Sequence, residues 1–315
     1  MKHRQLGRSV LQVAPLAFGG NVFGWSADER RSFELLDAFV DHGLNLIDTA
    51  DVYSRWVEGN EGGESEAIIG RWLKQSGKRD KVLIATKVAK WDRYPGLSPV
   101  NIREAVEDSL RRLQTDRIDL YQAHEDDPKV PLEETLRAFD DLVQSGKVRV
   151  IGASNYEASR LADALKTSAE HGLSRYESLQ PEYNLMDRAG FEEALQPLCV
   201  EQDVGVISYY SLASGFLSGK YRSEADLAKS KARGGKVKAY LGERGFRVLE
   251  VLDDVAEAHG ATPAQVALAW VMAQPSIVAA IASATTVEQL ADIAKSASIQ
   301  LTGAQLAALT DASAT

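Results

Sequence analysis

Short runs of β-branched and other apolar residues alternate along the chain with longer stretches whose apolar positions recur every three or four residues. The short runs predict strands over 13–18, 45–50, 82–87, 118–124, 148–154, 178–183, 204–209 and 278–283. The longer stretches predict helices: Phe33, Leu36, Phe39 and Val40 form one apolar stripe, and Ile102, Val106, Leu110 and Leu113 another. Boundary residues agree, since Ser98-Pro99 and Thr262-Pro263 suit helix starts and Gly146 suits a helix end. Eight strands, each followed by a helix, predict an α/β chain closed as one (β/α)8 barrel.

No linker-like stretch or residue-level repeat divides the sequence, so a single domain over 1–315 is expected. Two segments fall outside the alternation. Residues 55–63 are polar with Gly59, Gly62 and Gly63, and residues 213–242 are rich in Lys, Gly and Ser. Both predict long loops at the C-terminal face, where barrel loops build sites. A helix-like tail over 302–312 predicts one extra C-terminal helix.

Composition narrows the class. With 44% hydrophobic and 26% charged residues among 315, the chain has the make-up of a folded, soluble protein. Its 36 Lys and Arg against 45 Asp and Glu leave a net charge of −9, which opposes nucleic-acid and anionic-membrane partners. The longest apolar runs, such as 277–282, are far shorter than the roughly 18–20 residues of a membrane span. The apolar stretch after Met1-Lys2-His3-Arg4 is broken by Gln12 and Pro15, so no signal peptide is expected. A single cysteine, Cys199, excludes an intramolecular disulfide and a multi-thiolate zinc site. Cytoplasmic localisation fits these features. The sequence carries no signal for an oligomeric state.

Reactive residues of such a barrel belong at the carboxyl ends of different strands. Asp48, Lys87 and His124 lie at three predicted strand ends, and Tyr53 lies in the loop after Asp48. A phenol near pKa 10 is a poor proton donor at neutral pH unless a neighbouring ammonium stabilises its phenolate. Lys87 is the candidate cation, Asp48 the carboxylate that keeps it charged, and His124 the group that orients a carbonyl oxygen or assists proton delivery. Such a set polarises a carbonyl but holds no electrons, so reduction requires a bound hydride donor.

The segments that carry these residues read Asn45-Leu-Ile-Asp-Thr-Ala-Asp-Val-Tyr53, Ile84-Ala-Thr-Lys87 and Asp119-Leu-Tyr-Gln-Ala-His124. Further along come Gly146-Lys-Val-Arg-Val-Ile-Gly-Ala-Ser-Asn155, Gln180-Pro-Glu-Tyr-Asn184 and Gly215-Phe-Leu-Ser-Gly-Lys-Tyr221. In this order and over nearly the whole chain, they resemble the aldo-keto reductase family, in the bacterial branch that includes potassium-channel β-subunit-like reductases. The resemblance implies a barrel that binds a nicotinamide dinucleotide without a glycine-rich Rossmann turn, and no G-x-G-x-x-G occurs in the sequence. It implies hydride transfer to an aldehyde or ketone, with Tyr53 as proton donor, Lys87 and Asp48 tuning it and His124 placing the carbonyl.

By the same resemblance, Ser154, Asn155 and Gln180 hold the nicotinamide carboxamide, Tyr209 stacks on its ring, and Ser211, Leu212 and Gly215 follow the pyrophosphate. The family's last cofactor segment often carries Ile-Pro-Gly or Ile-Pro-Lys and then a basic residue. Here it reads Ile281-Ala-Ser-Ala-Thr-Thr-Val-Glu-Gln-Leu290, with no cation. Ser283, Thr286 and Gln289 remain as hydrogen-bonding candidates, and Lys220 or Arg222 are candidate compensating cations from the 213–242 loop. NADP is the cofactor the family implies, with NAD as the alternative.

Trp25 and Trp91 are the candidate walls for a small carbonyl or alcohol substrate, with Trp56 a weaker third. The short C-terminal extension predicts a pocket open on one side. A cofactor-sensing binding subunit on the same barrel, as among the family's channel β-subunits, is the alternative function. A hydrolase built on Asp/Glu pairs or a metal finds no metal-spaced His/Asp cluster beyond Glu125-Asp126-Asp127, which reads as a solvated loop.

Overall fold

A hairpin of two antiparallel strands, β1 (Arg4–Gln5) and β2 (Gln12–Val13), opens the chain. It was not predicted from the sequence, because two-residue strands carry no period. The computed structural model describes residues 2–229 and 234–314, so residues 230–233 of the expected 213–242 loop lie outside the described residues.

Eight parallel strands follow: β3 (Leu16–Gly19), β4 (Leu46–Asp48), β5 (Leu83–Val88), β6 (Ile118–Ala123), β7 (Val148–Ser154), β8 (Tyr176–Gln180), β9 (Gly205–Ser208) and β10 (Ile277–Ala282). Neighbouring strands pair in chain order, and β10 returns to β3, closing the sheet as a (β/α)8 barrel. The expected strands match these with two changes at proline. Pro15 lies between β2 and β3, so the run 13–18 is split between hairpin and barrel. Pro181 has no N–H to offer the ladder, and β8 stops at Gln180.

Side chains alternate across the sheet. Ile47, Ile84, Tyr121 and Ile151 face outward into the large core beneath the helices. Leu46, Ala85, Leu120, Val150 and Ile207 face inward and form a separate cluster with Leu6, Leu11 and Val13 of the hairpin. The hairpin thus fills the barrel at the strands' N-terminal end. Its turn requires glycine at Gly7, where φ is +55° and an added Cβ would lie 2.4 Å from the Glu177 carbonyl oxygen.

The helices begin where their caps predict. The Ser98 hydroxyl accepts from the Asn101 N–H ahead of Pro99–Leu113, and Thr262 forms a capping box with Gln265 ahead of Pro263–Met272. The segment 213–242 is less irregular than expected. It contains 3-10 turns over Ala213–Ser218 and Glu224–Lys229 and a short helix, Gly234–Val237. The tail is the helix Gly303–Ala312, capped by Thr302 and tied to the helix Glu243–His259 by a 3.1 Å His259–Gln305 hydrogen bond. No helix among the described residues is long and apolar enough to cross a membrane.

Candidate active site

One inward position beyond Leu46, Ala85 and Leu120 stand Asp48, Lys87 and Gln122, so the barrel interior turns from apolar to polar toward its C-terminal mouth. Lys87 is fully buried. Its Nζ donates to Asp48 Oδ2 at 2.7 Å, to the Thr49 carbonyl at 2.8 Å and to the Tyr53 hydroxyl at 3.1 Å, which uses all three ammonium protons. The other oxygen of Asp48 accepts from Gln180 Nε2 at 2.8 Å and, more weakly, from Gln122 Nε2 at 3.4 Å. Gln122 went unrecognised in the sequence. Its signal was a polar residue inside the otherwise apolar run of β6.

Tyr53 reaches this group from the loop after β4, which is pinned to β5 by the Thr49 N–H on the Ala85 carbonyl and the Asp51 N–H on the Lys87 carbonyl. Its ring stands edge-on to His124, with centroids 6.0 Å apart. His124 is itself held by the Asn155 amide donating to its carbonyl at 2.9 Å.

The charges follow from burial and these contacts. Desolvation works against the Lys87 ammonium, but Asp48 and then Tyr53 more than offset it and raise its pKa, so Lys87 is a cation. The Tyr53 result corrects the expected direction. Desolvation raises its pKa more than Lys87 lowers it, so the phenol keeps its proton across the neutral range. Burial, with Lys87 and Lys90 as nearby positive charges, holds His124 well below the usual histidine value, leaving it neutral. Its Nδ1 is buried with no hydrogen-bond partner among the described residues.

Above the group opens a cleft of about 550 Å³. Trp25, Asp48, Tyr53 and His124 line it, joined by Trp56 and by Lys90, which was not singled out in the sequence. Ser154, Asn155, Gln180, Tyr209, Ser211, Leu212, Gly215 and Ser283 line it too, with Asn21, Tyr210 and Ser214 as further members. Asn155 is fixed there by Tyr209, whose hydroxyl donates to its Oδ1 at 2.8 Å. The backbone around it is unusual, with positive φ at Asn155, Tyr210, Ala213 and Ser214, a pattern that concentrates at ligand clamps.

Besides Lys87, buried beneath Tyr53 and Asp48, five sequence candidates do not line the cleft. Trp91 is buried behind it, donating to the Glu61 carbonyl and packed on Arg112, because the chain turns sharply at Ala89. Arg222 is tied to Asp253 at 2.7 Å and to the Gly219 carbonyl. Thr286 and Gln289 serve the start of the helix Val287–Ala294: the Thr286 hydroxyl accepts from the Gln289 N–H, and Gln289 Oε1 accepts from Thr285. Lys220 stands beside Gly215, with Nζ 3.7 Å from where a Cβ would be.

A sequence model of the Aldo/keto reductase family matches residues 15–314. The chain is 38% identical to the Bacillus subtilis protein named uncharacterized oxidoreductase YrpG, over 96% of this chain and 92% of that one. It is 32% identical to norsolorinic acid reductase B of Aspergillus parasiticus, covering 99% and 84% of the two chains. It is 31% identical to an Arabidopsis thaliana protein named "Probable voltage-gated potassium channel subunit beta", covering 95% and 92%.

Proposed function

Because the chain belongs to the aldo/keto reductase family, we propose that it interconverts aldehydes or ketones and their alcohols in the cytoplasm, as one barrel domain over residues 1–315. The observation that carries this reading is the Lys87 ammonium, 3.1 Å from the Tyr53 hydroxyl while paired to Asp48 at 2.7 Å. Tyr53 holds its proton at neutral pH and releases it to a carbonyl oxygen that gains negative charge. The phenolate left behind faces the Lys87 cation, which lowers the cost of that release. Neutral His124 offers a ring nitrogen to orient the same oxygen.

The further donors that line the cleft fit a nicotinamide dinucleotide. Ser154, Asn155 and Gln180 would hold the carboxamide, Tyr209 would cover the ring, and Ser211, Leu212, Ser214 and Gly215 would follow the phosphates. When bound, that cofactor supplies the hydride that no side chain can. NADP is the cofactor proposed, with NAD close behind, because the helix that starts at Thr286 has Glu288 and no basic residue in its first turn, and nearby Arg31 is shared between Glu34 and Glu288. A panel of small carbonyls and alcohols, with both nucleotides and absorbance at the reduced-nicotinamide band, tests the reading. Repeated turnover supports it. Binding of nucleotide with no turnover on any compound would favour a cofactor-sensing subunit, the reading that the likeness to the Arabidopsis protein supports.

A further inference from the structure

Among the described residues that line the cleft, only Asp48 and Lys90 carry formal charges, and Asp48 is already matched by buried Lys87. Beyond the Asp48–Lys87 pair, the charge that these lining residues present to a ligand in the mouth is that of Lys90. Lys90 stands there through a strained turn: Ala89 has φ +120°, a conformation costly for any residue with a side chain. The turn is held by the Gly96 N–H donating to the Ala89 carbonyl at 2.9 Å. It follows directly on Val88, whose carbonyl accepts from the His124 N–H, so Lys90 emerges beside His124. The proton chemistry proposed above does not use it.

The only ion pair of Lys90 among the described residues is with Glu125, at 3.5 Å between two partly exposed side chains. Such a pair contributes little and exchanges readily for a better-placed anion. Around it stand flat apolar surfaces. Trp25 and Trp56 pack edge-on with centroids 5.6 Å apart, and Tyr53 adjoins Trp56 at 5.9 Å. In a chain of net charge −9, a lysine at the mouth also offsets the general repulsion of anionic ligands.

We propose that the substrates carry a carboxylate or like anionic group remote from the carbonyl, on an aromatic or similarly flat body, and that Lys90 determines this specificity. The inference takes the position of the carbonyl from the reductase reading, whereas the anion site stands on Lys90 itself. The matched probes are 4-formylbenzoate and its neutral methyl ester. Dissociation constants from tryptophan fluorescence and kcat/KM from nucleotide oxidation are measured for wild type, Lys90→Met, Lys90→Gln and Lys90→Arg. The preference for the carboxylate is expected to fall about five- to tenfold in Lys90→Met and Lys90→Gln, to return in Lys90→Arg, and to shrink with added salt. An unchanged preference in both neutral variants overturns the inference and leaves the reductase reading intact. A Lys90-dependent binding preference with no turnover of either aldehyde supports the anion site and removes the reductase reading.

Discussion

Gln180 donates its side-chain amide to Asp48 across the barrel, Nε2 to Oδ1 at 2.8 Å, joining the wall proposed for the nicotinamide to the carboxylate that holds Lys87. Gln180→Met leaves Asp48 Oδ1 with only the long contact from Gln122. We expect it to weaken dinucleotide binding about tenfold and to cost about 1–3 kcal/mol of stability. Nucleotide titration and urea denaturation check the two effects, and a variant that loses neither would remove the link.

Lys87→Met takes the cation from beside Tyr53, so its loss of kcat should fall within about threefold of that of Tyr53→Phe. The double variant should be little worse than either single one, since both break one unit. Removing Lys87 also leaves Asp48 buried and uncompensated, which should cost about 3–5 kcal/mol in denaturation. Near-wild-type kcat would contradict the coupling.

Much of this was legible in the sequence because it depends on period. The strand candidates put Asp48 and Lys87 in the inward register set by Leu46 and Ala85, at ends that face one mouth. What escaped depends on single backbone torsions and on contacts between distant segments. Four residues beyond Lys87, Trp91 seemed bound for the mouth, but the left-handed turn at Ala89 sends it behind the cleft and brings Lys90 forward. Gln289 looked free for a ligand, yet it caps its own helix through Thr285. The direction of the Tyr53 shift was misjudged because sequence reveals a charged neighbour more readily than it reveals the extent of desolvation.

Nucleotide choice follows from the same caps. With no basic residue in the first turn of the helix Val287–Ala294, nearby Arg31 shared between Glu34 and Glu288, and Arg222 engaged by Asp253, NADP should bind at most about tenfold more tightly than NAD. Parallel titrations measure the ratio. A thousandfold NADP preference would show that some other cation holds the extra phosphate.

Asp51 is fully buried with no hydrogen-bond partner for its carboxylate among the described residues, and desolvation, with Glu66 adding like charge, raises its pKa well above the ordinary 3.8. A raised folded pKa gives stability that is present below the unfolded value and lost as pH rises from about 4 toward the folded value. Asp51→Asn removes that loss. It should match wild type near pH 4 and exceed it by about 1–3 kcal/mol at pH 7.5. Denaturation at the two pH values reads the crossing, and an Asn variant less stable at pH 7.5 would mean the carboxylate is compensated.

The central claim is that Tyr53 carries the transferred proton, and Tyr53→Phe tests it with the least disturbance, since only one oxygen leaves. Measured together, kcat for a carbonyl substrate should fall by about 10²–10⁴ while the dissociation constant of the dinucleotide stays within about twofold. A Tyr53→Phe enzyme that turns over at the wild-type rate would contradict the account.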